Sequence, residues 1–156
     1  MTSTTKPRPT LEQRRAAHAW SVIKHVRTEK ADSALLLDLE TKSKRLSSRI
    51  IASGLGQALA FAFAKKDGLF FVAALTDWIT DRPTELSELI AKDCLNQQQL
   101  KLIIHDFIEN HLINSNALQL RDNTEEALAY LPWLSRFAEG EGQLNSGSAE
   151  DNDESN

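Results

Sequence analysis

Apolar residues recur at intervals of three and four along most of the chain, and no segment alternates apolar and polar residues long enough to argue for a strand. The pattern predicts an all-α protein, a single compact bundle of about six to seven helices. Thr10 is placed to cap a first helix, with Gln13 completing a capping box; Ala16, Ala19, Trp20, Ile23 and Val26 then share one face as far as about Lys30. A second helix is expected over about 31–44 through Leu35, Leu36 and Leu39. Ser47 or Ser48 would cap a third, over about 49–66, with Ile51, Leu55, Leu59, Ala62 and Phe63 facing the core.

Asp67 and Gly68 interrupt the chain before LFFVAALTDWIT, residues 69–80, the most apolar segment and the expected centre of the core. Arg82 and Pro83 end that helix. A short helix near 84–91 and a longer one over about 96–112 follow, the latter burying Leu100, Ile103, Ile104, Phe107 and Ile108. The last helix is expected over about 123–139, with Pro132 kinking or breaking it. Residues 1–9 and 140–156 are too polar to offset the entropy of ordering, so disordered tails are expected around a helical domain at 10–139.

Composition narrows the class. The 156 residues are 41% apolar with only four prolines and six glycines, which fits a folded helical chain with no room for a separate catalytic domain. The longest charge-free apolar run, near Leu69, is far short of the roughly 20 residues that span a bilayer, and no apolar signal core stands at the N-terminus. A cytoplasmic protein without membrane contact is expected. The single cysteine, Cys94, has no partner for an internal disulfide and no zinc-site spacing.

Charge changes the picture more. Residues 1–66 carry 13 Lys or Arg against 5 Asp or Glu, a net of +8, whereas residues 67–156 carry 5 against 17, a net of −12. The first part is therefore a candidate polyanion-binding surface on a protein that is acidic overall. Arg14, His18 and His25 fall on one face of the first helix, opposite Trp20 and Ile23 and flanked by Arg15 and Lys24. Lys42, Lys44, Arg45 and Arg49 form a second basic set, Lys65 and Lys66 a third. Guanidinium and ammonium groups in such an arrangement neutralise phosphate without reading sequence; a merely solvated helix face is the competing reading.

Other motifs point away from chemistry. Gly54-Leu55-Gly56 lacks the third glycine and the preceding strand of a dinucleotide loop, and Ser53, Gly56 and Ala60 instead suggest a smooth strip for close helix approach. His105 and Glu109 share a face that His111 does not, which disfavours a metal site. No nucleophile–base set or paired carboxylate emerges. Trp20, Trp78 and Trp133 each sit in an apolar helical pattern and are expected in the core.

Three blocks carry a resemblance. Thr10-Leu11-Glu12-Gln13-Arg14-Arg15-Ala16 with Trp20 comes first, then Ser48-Arg49-Ile50 leading into Gly54-Leu55-Gly56-Gln57-Ala58-Leu59-Ala60-Phe61. Thr124-Glu125-Glu126-Ala127-Leu128 with Trp133-Leu134 and Arg136-Phe137-Ala138-Glu139 comes last. In this order they resemble the small-subunit family of the type III-B CRISPR effector, the Cmr complex.

The resemblance implies an all-helical, non-catalytic subunit without cofactors, acting in antiviral defence. It implies several copies stacked beside the backbone-subunit filament, near the large subunit, with a basic groove facing guide and target RNA. Arg14, Arg15, Arg49 and Arg136, within the matched blocks, are then the candidate nucleic-acid contacts, with Lys24, Arg45, Lys65 and Lys66 as supporting charges from the pattern. The alternative is a protein–protein spacer with no direct RNA contact.

Overall fold

The computed structural model describes residues 5–26, 33–65, 68–80 and 97–150. Within them lie six helices and no strand: α1 (Leu11–His25), α2 (Ser33–Ser53), α3 (Leu55–Lys65), α4 (Leu69–Thr80), α5 (Gln97–Phe107) and α6 (Ala117–Glu150). A π-helical turn, Ile108–Ile113, continues α5. The expected all-α architecture is what the chain adopts. None of the described helices is long and apolar enough to cross a membrane.

The first helix starts as its sequence requires. The Thr10 hydroxyl accepts from the Gln13 N–H at 3.2 Å and the Gln13 side chain accepts from the Thr10 N–H at 2.7 Å, so two otherwise unpaired donors are satisfied reciprocally. The segment 69–80 is α4 to the residue, and every position from Leu69 to Asp77 is buried. A helix buried all round must be enclosed by others, and α4 packs against α1, α2, α3, α5 and α6. Around it, α2 and α6 form the most extensive pairing and α1 lies along α6.

Three boundaries differ from expectation. No cap forms at Ser47 or Ser48: both lie inside α2, and their hydroxyls donate to the carbonyls of Ser43 (3.1 Å) and Lys44 (3.2 Å), four residues back. The chain turns instead at Gly54, whose φ of 85° is left-handed. Its N–H closes α2 on the Ile50 carbonyl (2.8 Å) and its carbonyl receives the Ala58 N–H that opens α3 (3.1 Å). Because two helices meet there, the register that aligned Ile51 with Leu55 and Leu59 fails: Ile50 is buried at 2% and Ile51 is 74% exposed. The same break separates Ser53 from Gly56 and Ala60, so they form no continuous strip, and a Cβ on Gly56 would meet nothing within 4 Å.

The last helix is longer at both ends than 123–139. Asn116 and Gln119 form a second reciprocal cap (3.1 and 2.8 Å) that starts it early. Pro132 sits within it without ending it. Beyond Glu139, where composition predicted a tail, the helix continues and Glu141 is buried. The expected helix at 84–91, Cys94 and the extension of the first helix to Lys30 lie outside the described residues.

The buried face of α1 is also rotated from the one predicted. Ala19, Val22, Ile23 and Val26 are buried, while Trp20 is 43% exposed. Arg15 and His18, read as outward, turn inward at its edge because polar partners wait there.

Gly54→Ala should destabilise the protein by about 1–2 kcal/mol, the cost of a left-handed L-residue, whereas Gly56→Ala, in an open helical site, should stabilise it by about 0.5–1 kcal/mol. Urea unfolding of the two variants checks the opposite signs.

Candidate nucleic-acid interface

Lys42, Arg45 and Arg49 follow one another at three and four residues along α2, which places them on one side of the helix. With Leu46, Gly68 and Val72 they line a small concavity where α2 passes the start of α4. Gly68, at φ 68°, turns the chain there and its carbonyl accepts from Phe71 and Val72 (3.1 and 3.2 Å). The first turn of α4 carries no acid, so the partial positive charge of its N-terminus adds to the basic edge. The Arg49 guanidinium lies over the Phe61 ring at 3.7 Å, which ties α2 to α3 and fixes the direction of the charge. Arg45 is exposed, as is Lys65 at the end of α3. Lys44 pairs with Glu40 at 2.7 Å, and that hydrogen bond raises its pKa. Lys66 lies outside the described residues.

On α1 the predicted basic face divides. Arg14 and Lys24 are exposed. Arg15 is not: its side chain is 12% exposed and grips the Glu126 carboxylate with two donors, Nε to Oε1 at 2.7 Å and Nη2 to Oε2 at 2.6 Å. A third donor, Nη1, reaches Glu12. The Trp78 indole N–H also donates to Glu126 (2.8 Å), and that of Trp133 to Glu12 (3.1 Å). The hydrogen bond from Arg15, above all, holds the Glu126 carboxyl below its ordinary value and outweighs the opposing effect of burial.

His18 is held just as fully. Its Nε2 lies 2.7 Å from Asp77 Oδ2 and its Nδ1 2.6 Å from the Tyr130 hydroxyl. Burial, and then the charge of Asp77, push the Tyr130 phenol well above its usual range, so the hydroxyl keeps its proton. A neutral imidazole protonated on Nε2 satisfies both partners: it donates to Asp77 and accepts from Tyr130. Arg14 and His18 therefore do not share an outer face, and the His25 side chain falls outside the described residues.

The tryptophans divide as well. Trp78 stacks on Tyr130, centroids 5.6 Å apart and planes at 10°, inside the bundle. Trp133 is half-buried and Trp20 is exposed; both rings pack against Phe137, at 5.7 and 5.2 Å. Trp20 is thus a correction to the expected core. Arg136, next to Phe137 in sequence, is exposed. Spacing alone hid the Arg15 and Glu126 pairing, because the two residues are 111 positions apart.

Elsewhere, His111 stacks on Phe107 at 5.2 Å and His105 leans on Phe63 at 6.4 Å. Among the described residues no three His, Cys, Asp or Glu side chains gather as metal ligands.

A protein-family model described as CRISPR-associated protein (Cas_Cmr5) matches residues 11–141, from the first residue of α1 into the last third of α6.

Glu126 binds a proton more readily in the unfolded chain than in the fold. Its contribution is therefore complete above its ordinary value of 4.5 and is lost as pH falls through the lower folded value. Glu126→Gln should cost about 1–3 kcal/mol at neutral pH, with the gap to wild type narrowing as pH falls below the ordinary carboxylate value, whereas Arg14→Ala should stay within about 0.5 kcal/mol. Chemical unfolding across pH measures both.

Proposed function

Since the chain belongs to the CRISPR-associated Cmr5 family, the small subunit of the type III-B Cmr complex, we propose that it is a non-catalytic subunit that helps hold guide and target RNA through a basic surface. The observation that carries this reading is the basic edge of α2, where Lys42, Arg45 and Arg49 surround one concavity beside the start of α4. Such a surface meets phosphate and leaves sequence to base pairing between guide and target. Arg14 and Lys24 on α1 and Arg136 on α6 are further exposed cations. Arg15 serves as a positioning residue, since its guanidinium is committed to Glu126 and Glu12.

On this reading the partners are the backbone-subunit filament, the large subunit and further copies of the chain, and the setting is cytoplasmic antiviral defence. Weak phosphate contacts per copy suit an assembly in which several copies act on one RNA. A protein–protein spacer is the second reading, favoured by the cations already engaged within the chain, Arg15 with Glu126 and Lys44 with Glu40.

In the assembled complex, Arg45→Ala/Arg49→Ala should weaken target-RNA binding and reduce the salt dependence of log K by roughly 1.4–1.8 for each copy in contact with the RNA, about two phosphate contacts per copy. Binding measured over a salt series checks this, with assembly followed in parallel. Unchanged RNA affinity together with lost assembly would make the basic edge a protein-docking surface.

A further inference from the structure

Where α1 crosses α6, Trp20, Phe137 and Trp133 form a chain of rings: Trp20 meets Phe137 nearly edge-on at 5.2 Å and 73°, and Phe137 meets Trp133 at 5.7 Å. Single exposed apolar side chains need no explanation, but an indole 43% exposed at the end of an aromatic series is costly to leave in water. The ledge is rigid. Trp133 is fixed by its indole N–H to Glu12 at 3.1 Å, and Glu12 is itself tied to Arg15.

The flanks are basic. Lys24 lies one turn beyond Trp20 on the same side of α1, and Arg136 stands three residues from Trp133 on α6; both are exposed. Glu12 is the acid at the far end, and its carboxylate is already shared between Arg15 and Trp133. An exposed indole held edge-on against a second ring and flanked by two cations has the chemistry that receives an unpaired nucleotide. Each base offers a π-face to an indole whatever its identity, and the neighbouring phosphates meet the cations.

We infer that the Trp20–Phe137–Trp133 ledge is a stacking platform for unpaired RNA bases, distinct from the phosphate-facing edge of α2. The inference rests on the RNA-holding reading and adds base contact to it. It favours single strands over duplex, because a paired base has no free face to offer.

The test uses the full chain with dye-labelled oligoadenylate and a matched RNA duplex, reading dye anisotropy for binding and tryptophan emission for stacking. Single-stranded RNA should quench tryptophan emission. Trp20→Leu should remove most of that quench and weaken single-strand binding about tenfold, with little effect on the duplex. Trp20→Phe, which keeps a ring, should retain most of the affinity, and circular dichroism confirms that both variants fold. Binding by anisotropy with no quench, or with equal affinity for Trp20→Leu, overturns the stacking site while leaving the basic edge standing. No anisotropy change with either RNA, for the chain alone and for the assembled complex, overturns the inference together with the RNA-holding reading. Unchanged RNA affinity with loss of Trp20→Leu from the assembled complex would make the ledge a protein contact and also overturn the inference.

Discussion

The setting of α1 depends on one charged contact, the two-donor grip of Arg15 on Glu126. Both oxygens of that carboxylate are used, Oε1 by Arg15 and Trp78 and Oε2 by Arg15 again. Half-buried charges are tolerated only when fully paired, so α1 can take one rotation about its axis and no other. His18, one turn further along, locks the same rotation through Asp77 and Tyr130. With α4 and α6 supplying these partners, the outward positions of α1 become Arg14, Trp20 and Lys24.

The contact also ties the basic first part of the chain to the acidic second part. Some of the cations of residues 1–66 are neutralised by the later acids: Arg15 by Glu126, and Lys44, paired first with Glu40, also feels Glu139. The exposed cations include Arg45 on the α2 edge, which is shaped by the turn at Gly68 and by Phe61 under Arg49, Lys65 at the end of α3, Arg14 and Lys24 on α1, and Arg136 on α6.

Local signals were legible in the chain. The capping box at Thr10, the span of α4 and the helical class followed from spacing and composition, and the glycine block belonged to the family that the match to residues 11–141 identifies. Positions whose orientation is set by distant partners were not. Periodicity turned Trp20 inward and His18 outward, since an indole is apolar and an imidazole polar; Asp77, Tyr130 and Glu126 reverse that choice from 59 to 112 residues away. The helix break was misplaced for a related reason. Serines can cap a helix or bond back within it, and Ser47 and Ser48 do the latter, leaving Gly54 to make the turn through a backbone conformation that composition does not display.

The central claim is that RNA runs along the α2 edge. Ultraviolet crosslinking of guide and target RNA in the assembled complex, with the crosslinked peptides identified by mass spectrometry, tests it most directly. The account predicts crosslinks to peptides spanning Lys42 to Arg49 and to the Trp20 or Trp133 peptides. Crosslinks confined to the α5–α6 corner, or falling only on other subunits while this chain is present in the complex, would contradict it.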